Sequence, residues 1–471
     1  MDRSPADTGG LFDLEPDGVR LARWAAESVA YVDEFIQGLP DAPLVYGEDS
    51  AELLESFQAP PAEGPGDFTE LLGIYARAVR SGVETAGPRM MAHVPGGGIV
   101  TAALAEFLAA ATNRYTARSA HAPAAVALEH GLLRWMCGLV GLPDTAVGVT
   151  TSGTSMAALS AVVAARSSRL GQDFRTGTLY LTEATHRSMR KAAVVAGLDP
   201  AHIRVVPSRA DLRMDVGAAH ALIAQDRAAG LSPFLIVGTA GSTDTGTVDP
   251  LRDISELAND EGLWFHVDAA YGGFFCLTAH GRRVMTGIDR ADSVSLDPHK
   301  SLFLPSGVGV LLVRDYSALR TAYAVGDNPC LEGEGLDEIP ALPDYADLGP
   351  ELTRSFRGLR LWLPLHLHGV EAFRGALEEK LRLARTIHRE LGRDPRVDLP
   401  WPPDLSIVAF RLAGRDDRAH QEFLRQVHAT GRVSLSSAQI GGRFALRVCV
   451  LSHRAHEEHV RDALAAIREN L

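Results

Sequence analysis

Residues 264–275 read WFHVDAAYGGFF, and residues 292–305 read DSVSLDPHKSLFLP. Each segment begins with a short apolar run, Trp264 to Val267 and Ser293 to Leu296, and each run stops abruptly at polar residues. Short apolar runs bounded by turn signals fit buried strands of a parallel sheet. In such sheets, ligands bind beyond the carboxyl ends of the strands. Asp268 lies at the first such end, and Asp297, His299 and Lys300 lie at the second. A carboxylate and an amine at one rim are either a structural ion pair or the two handles of one ligand.

Pyridoxal phosphate needs both handles. Its aldehyde forms a Schiff base with a lysine, and its ring nitrogen seeks an anionic partner. HVDAAYGG followed by DPHK resembles the pyridoxal-phosphate-dependent amino acid decarboxylases of group II. That family includes the aromatic amino acid, glutamate, histidine and diaminobutyrate enzymes. The resemblance covers the chain from about residue 86 and, more loosely, the segment before it. It implies an α/β fold of the aspartate-aminotransferase-like fold type I. Such a fold has a seven-stranded, mainly parallel sheet, an N-terminal helical segment and a small C-terminal α+β domain.

The pattern agrees with this. Seven strand-like runs fall near 147–149, 179–182, 203–206, 235–238, 264–267, 293–296 and 308–313. Helical periodicity separates most of them, as in a layered α/β domain. We expect three regions. Residues 1–85 form a helical segment, 86–360 the cofactor-binding domain and 361–471 the small domain. In the first, Leu21, Trp24, Val29, Val32, Phe35 and Ile36 recur at helical spacing. By resemblance this segment packs against a partner subunit, so a homodimer is implied.

Composition sets outer bounds. The 471 residues exceed what one core organises. A formal charge of −13 argues against nucleic acid or anionic membrane as partner. The four cysteines are widely separated and show no metal-ligand spacing, which suits a reducing compartment and predicts no metal site. No apolar signal core opens the chain, and no run approaches the ~18 apolar residues of a membrane span. A cytoplasmic protein is expected.

Other segments supply further parts. VTTSGTSMAALSAVV (149–163) passes from a strand through small residues into a helix, and the start of a helix can cradle an anion. By resemblance, Gly153, Thr154 and Ser155 fall on the phosphate-binding turn, although Ala158 stands where the family often has asparagine. His186, in HRSMRKA (186–192), matches the family's H-S-x-x-K-A context at Ser188, Lys191 and Ala192, and by resemblance falls on the histidine that stacks on the cofactor ring. Thr243 falls near the ring oxygen, and Ala270 on the opposite ring face. GPRMMAHVPGGG (87–98) resembles the segment lining the substrate side, with Gly87 in place of its leading histidine. His93, Gly96 and Gly97 are its candidate substrate residues. Three consecutive glycines predict either a roomy pocket or a close backbone approach. Arg447, inside an apolar strand, needs a carboxylate or an exit to solvent, and the resemblance implies that it binds the substrate carboxylate.

The implied activity is α-decarboxylation of an L-amino acid, or of an amino-acid derivative, to the amine and carbon dioxide. Lys300, His186 and Asp268 are the catalytic candidates. One departure stands out. The family usually carries a tyrosine in a loop after the last sheet strand, and it protonates the carbanion. Here that place falls near Asn328, Pro329 and Cys330, with Tyr323 before it and Tyr345 well after. By resemblance, loss of that group goes with aldehyde-forming oxidative variants. Decarboxylation of an acidic amino acyl group presented on a carrier protein, or an inactive fold relative acting as a binding protein, are the remaining alternatives.

Overall fold

In the computed structural model, the described residues are 14–47, 51–94, 96–324 and 342–471. The chain divides into two compact units, Met1–Gly87 and Pro88–Leu471. Asn328, Pro329 and Cys330 lie outside the described residues.

The first unit holds α1 (Gly18–Gly38), β1 (Val45–Gly47), α2 (Ala51–Ser56), α3 (Phe68–Val79) and β2 (Ser81–Val83). Asp17 caps α1 through the Arg20 amide, and Asp67 caps α3 through the amides of Thr69 and Glu70. Strands β1 and β2 pair antiparallel. The periodic apolar residues of α1 do form a helical stripe. It is not covered, however: Leu21, Val29 and Val32 are exposed.

The second unit opens with α4 (Val100–Thr112) and α5 (Pro123–Leu139). Then come β3 (Val147–Thr151), α6 (Thr154–Leu170), β4 (Gly177–Thr182), α7 (Arg187–Val195), β5 (Ile203–Val206) and α8 (Val216–Ala228). Next are β6 (Ser232–Thr239), α9 (Leu251–Asp260), β7 (Trp264–Asp268) and α10 (Ala279–Val284). The series closes with β8 (Ser293–Leu296), a single turn α11 (Pro298–Ser301), β9 (Gly309–Val313) and α12 (Tyr316–Tyr323).

Strands β3 to β9 build one seven-stranded sheet in the order β3-β9-β8-β7-β6-β4-β5. Only β9 runs against its neighbours. All seven expected strands are present. Apart from the edge strand β5 and the first two residues of β6, their residues are buried, as strands covered on both faces must be. β3 and β8 both pair antiparallel to β9, so the carboxyl ends of β3, β4, β6, β7 and β8 share one edge.

After α13 (Gly358–Leu391) come β10 (Val397–Asp398), β11 (Ile407–Leu412), α14 (Asp417–Ala429), β12 (Ser436–Ile440), β13 (Arg443–Cys449) and α15 (Glu457–Asn470). These four strands form an antiparallel sheet in the order β10-β11-β13-β12. The expected boundary at 360/361 falls inside α13. Its backbone breaks instead at Gly369, where φ is 73°, a conformation that glycine adopts without steric cost. The second sheet has its own core, in which Val408, Phe410, Leu446 and Val448 pack on Phe423, Val427 and Ile467.

Candidate active site

Five strand ends deliver side chains to one cavity of about 290 Å³, a modest small-molecule site. It is lined by Gly153, Thr154 and Ser155 after β3, and by Ala184, His186 and Ser188 after β4. Thr239, Gly241 and Thr243 come from β6, and Asp268, Ala270 and Tyr271 from β7. Asp297, His299 and Lys300 come from β8. The residues expected to hold a cofactor therefore meet in one place.

Lys300 occupies the single turn α11, which Pro298 opens. Its Nζ lies 3.1 Å from Asp297 Oδ2. The other oxygen of Asp297 accepts from the Thr154 amide at 3.0 Å. That contact engages the Thr154 amide within the protein. What remains there is the Thr154 hydroxyl, buried and without a hydrogen-bond partner among the described residues. An orphaned hydroxyl suits an anionic ligand. The turn also lies against β9, where a Cβ at Gly309 would come within 2.7 Å of the Thr154 nitrogen.

Asp268 ends β7 and is 6% exposed. Oδ1 accepts from the Ala270 amide at 3.2 Å and from Ser295 Oγ at 3.4 Å. Behind it a relay runs through the sheet. His266 Nε2 lies 3.4 Å from Ser295 Oγ, His266 Nδ1 lies 2.8 Å from Ser293 Oγ, and Trp264 Nε1 donates to Ser293 Oγ at 2.8 Å. The indole can only donate, and an ionised carboxylate only accepts. With Ser295 giving its proton to Asp268, His266 Nε2 donates to Ser295, and a neutral ring accepts from Ser293 at Nδ1. Burial depresses the His266 pKa to about 4, which agrees.

His186 caps α7, and its Nδ1 accepts from the Ser188 amide. The Ser188 hydroxyl lies 2.8 Å from the same nitrogen. The ring proton therefore belongs on Nε2. Burial lowers the His186 pKa, nearby Asp268 opposes the shift, and Lys300 adds to it. His299 is held by a bond from Nδ1 to the Val308 carbonyl, at 2.8 Å.

The four expected substrate residues do not line this cavity. His93 is exposed, with φ at 55°. Gly96 faces backbone: a Cβ there would collide with the His299 carbonyl and come within 2.8 Å of the Lys300 carbonyl. Of the two expected alternatives, a roomy pocket or a close backbone approach, Gly96 shows the close approach, here between two chain segments. Arg447 is 4% exposed, between Ala409 and Ser436 in its sheet. Its Nη2 reaches Cys449 Sγ at 3.3 Å, and its Nε has no partner among the described residues. Burial raises the Asp244 pKa, and the Arg447 charge opposes that shift.

The sequence reading passed over Ala184, Ser188, Thr239, Gly241 and Tyr271 as site residues. Tyr271 directly follows Ala270, and its aromatic ring was the available signal. Its hydroxyl meets Ser406 Oγ at 2.7 Å, and its carbonyl accepts from Ser301 Oγ at 2.8 Å. It thereby ties the HVDAA turn to the DPHK turn. Tyr323 and Tyr345 are not among the lining residues. Among the described residues, their buried hydroxyls have no hydrogen-bond partner, and the Tyr345 ring carries Arg354 at 4.5 Å.

This sheet order, with an amine and a carboxylate opposed at its carboxyl edge, defines a fold type I pyridoxal-phosphate enzyme. Residues 52–413 match the pyridoxal-dependent decarboxylase conserved domain, and the chain belongs to that family. It is 30% identical to an aromatic-L-amino-acid decarboxylase of Bacillus atrophaeus, over 97% of this chain and 96% of that one. It is 27% identical to a phenylacetaldehyde synthase of Arabidopsis thaliana, over 97% of each. A crystal structure of Oryza sativa TDC with PLP and tryptamine superposes with a TM-score of 0.90 at 26% identity, covering 97% of this chain and 99% of that one. The protein is a pyridoxal-phosphate-dependent amino acid decarboxylase, a carboxy-lyase acting on a small-molecule substrate. Among the described residues, no helix is long and apolar enough to cross a membrane.

Proposed function

We propose that Lys300, Asp268 and His186 are the catalytic groups of this decarboxylase, and that its substrate is a free L-amino acid, with aromatic ones foremost. The observation that carries the assignment is the convergence of the three side chains on one cavity at the ends of three different strands. The preference for aromatic substrates is supported by the names of the relatives.

Pyridoxal phosphate, when bound, supplies an electron sink for the bond to the departing carboxyl group. The protein's residues do the rest. Lys300 offers the amine that holds the aldehyde. Asp268, fed by two donors and fixed by the relay behind it, presents its carboxylate to the ring nitrogen. His186 would pack its flat face on the ring, with Ala270 on the other side. Thr154, Gly153, Ser155 and His299 would hold the phosphate, and Thr243 would lie on the side of the ring oxygen. Arg447, buried with a free Nε–H, is the cation to which the substrate carboxylate turns, which would orient the scissile bond. His186 carries its proton on Nε2, where it can serve a carbanion at the substrate carbon.

A homodimer in the cytoplasm is the assembly we favour. Exposed apolar side chains on α1 and α3, among them Val19, Val29, Leu71, Ile74 and Tyr75, are suited to burial against a second copy. Light scattering at micromolar concentration tests this.

A second reading is aldehyde formation. It is favoured by the absence of tyrosine at 328–330 and by the similarity to a phenylacetaldehyde synthase. One assay separates the readings. Free and carrier-bound amino acids are offered to the holoenzyme, and carbon dioxide, amine, ammonia and hydrogen peroxide are scored together. Amine in step with carbon dioxide supports simple decarboxylation, whereas peroxide and ammonia in step with it overturn that reading. Carbon dioxide from a carrier-bound substrate alone would overturn the free amino acid.

A further inference from the structure

The glycine strip Gly96–Gly98 lies between two parts of the second unit. On one side is the turn that carries Lys300. Gly96 abuts the His299 and Lys300 carbonyls so closely that no Cβ fits. The Ile99 amide donates to the Phe303 carbonyl at 2.7 Å. Phe303 itself has φ at 62°, a left-handed conformation that a bulky residue holds only when its surroundings impose it.

On the other side is the loop between β13 and α15. His453 Nδ1 donates to the Gly96 carbonyl at 3.2 Å. Arg454 donates to the Gly97 carbonyl through Nη1 and to the Gly98 carbonyl through Nη2. Three consecutive carbonyls are thus held by two adjacent side chains. Gly97 and Gly98 have φ of 83° and 68°, which glycine adopts readily. The loop is anchored in turn. Lys380, fully buried on α13, donates to the Ala455 carbonyl and to Glu379 Oε2.

We propose that Gly96, His453 and Arg454 are positioning residues for Lys300, forming a clamp through which the small antiparallel-sheet region sets the place of the lysine turn. No side chain of the clamp lines the cavity. It acts through the backbone of residues 299–303, with the glycine strip as the wedge. The inference rests on the assignment of Lys300 as the cofactor lysine.

The test mixes cofactor-free protein with pyridoxal phosphate and follows the absorption band of the lysine-bound cofactor. Amide hydrogen exchange is measured on the same cofactor-free samples. Gly96→Ala and Arg454→Ala should slow formation of the band at least tenfold and raise exchange over residues 298–304. Exchange in β3 should stay at the wild-type level. Arg454→Lys, which can hold one carbonyl but not two, should recover part of the rate. Wild-type rates in both Gly96→Ala and Arg454→Ala would overturn the clamp. So would exchange raised equally in β3, and so would an Arg454→Ala protein that fails to fold and is not rescued by lysine. If Gly96→Ala alone fails to fold, the Arg454 variants decide. A band that survives in Lys300→Ala would instead overturn the assignment of the lysine, so the two failures are distinct.

Discussion

The Lys300 ammonium sits 3.1 Å from Asp297, three residues earlier in the same turn. Asp297 is 3% exposed and holds the Thr154 amide with its other oxygen. One carboxylate therefore ties the lysine of β8 to the first turn of α6. Replacement by asparagine keeps an acceptor for the amide but removes the charge that faces Lys300. An ion pair with one partner partly exposed contributes about 1 kcal/mol. Asp297→Asn should lower the unfolding free energy of the cofactor-free protein by about that amount, as read from a denaturant midpoint.

Lys300→Ala should abolish the Schiff-base absorption band and reduce turnover to background. Cofactor affinity should fall as well, but some binding should persist through the phosphate turn and Asp268, detectable by fluorescence quenching. A variant that retained both the band and full turnover would refute the assignment.

Asp268→Asn should keep the fold, because asparagine can still accept from the Ala270 amide. The fixed negative charge would be gone. Removing one preorganised electrostatic partner typically costs about 10²–10³ in kcat, and a loss of that size is expected with less change in KM. A mutant within about twofold of wild-type kcat would show that the ring nitrogen needs no anion here.

His186 is buried enough that its ring stays neutral below the ordinary histidine range. If its Nε2 proton serves the reacting carbon, His186→Gln should retain a donor and lose part of kcat. His186→Phe should keep the stacking surface yet lose about 10²–10⁴. Equal losses in the two variants would point to packing rather than proton transfer. Parallel kcat and KM measurements on both decide this.

Much of the site was legible because its residues lie beside strand ends, where periodicity breaks. HVDAA and DPHK announce themselves as apolar runs cut off by charge, and the small residues 153–155 mark a helix start. What escaped the sequence was set by distances across the fold. The Thr154 amide looked free for an anion, yet Asp297, 143 residues later, occupies it. The three glycines left open a roomy pocket or a close backbone approach, and at Gly96 it is the turn at 299–300 that makes the approach. Strand β12 (SSAQI) has three polar residues in five and pairs only on one side, with β13, so no apolar run betrayed it. His266 read as one letter of a motif. Its role behind Asp268 depends on register, because β7 and β8 pair His266 with Ser293 and Asp268 with Ser295.

That register makes a pH prediction. His266 has no exposed surface, and burial lowers its pKa to about 4, against about 6.5 when unfolded. Between those values the unfolded chain binds a proton that the folded chain refuses. Stability therefore rises with pH over this window. The contribution is complete above about pH 6.5 and is lost as the pH falls toward 4, to a total of about 3 kcal/mol. His453, lowered likewise to about 4 by burial, adds a second loss in the same window. His266→Gln should flatten the pH dependence of the unfolding free energy by about 1.4 kcal/mol per pH unit. That slope, measured by urea denaturation from pH 4 to 7, separates a neutral relay from a charged one. A mutant with the wild-type slope would mean that His266 is already protonated in the folded protein, and the donor direction deduced from Trp264 and Asp268 would fail with it.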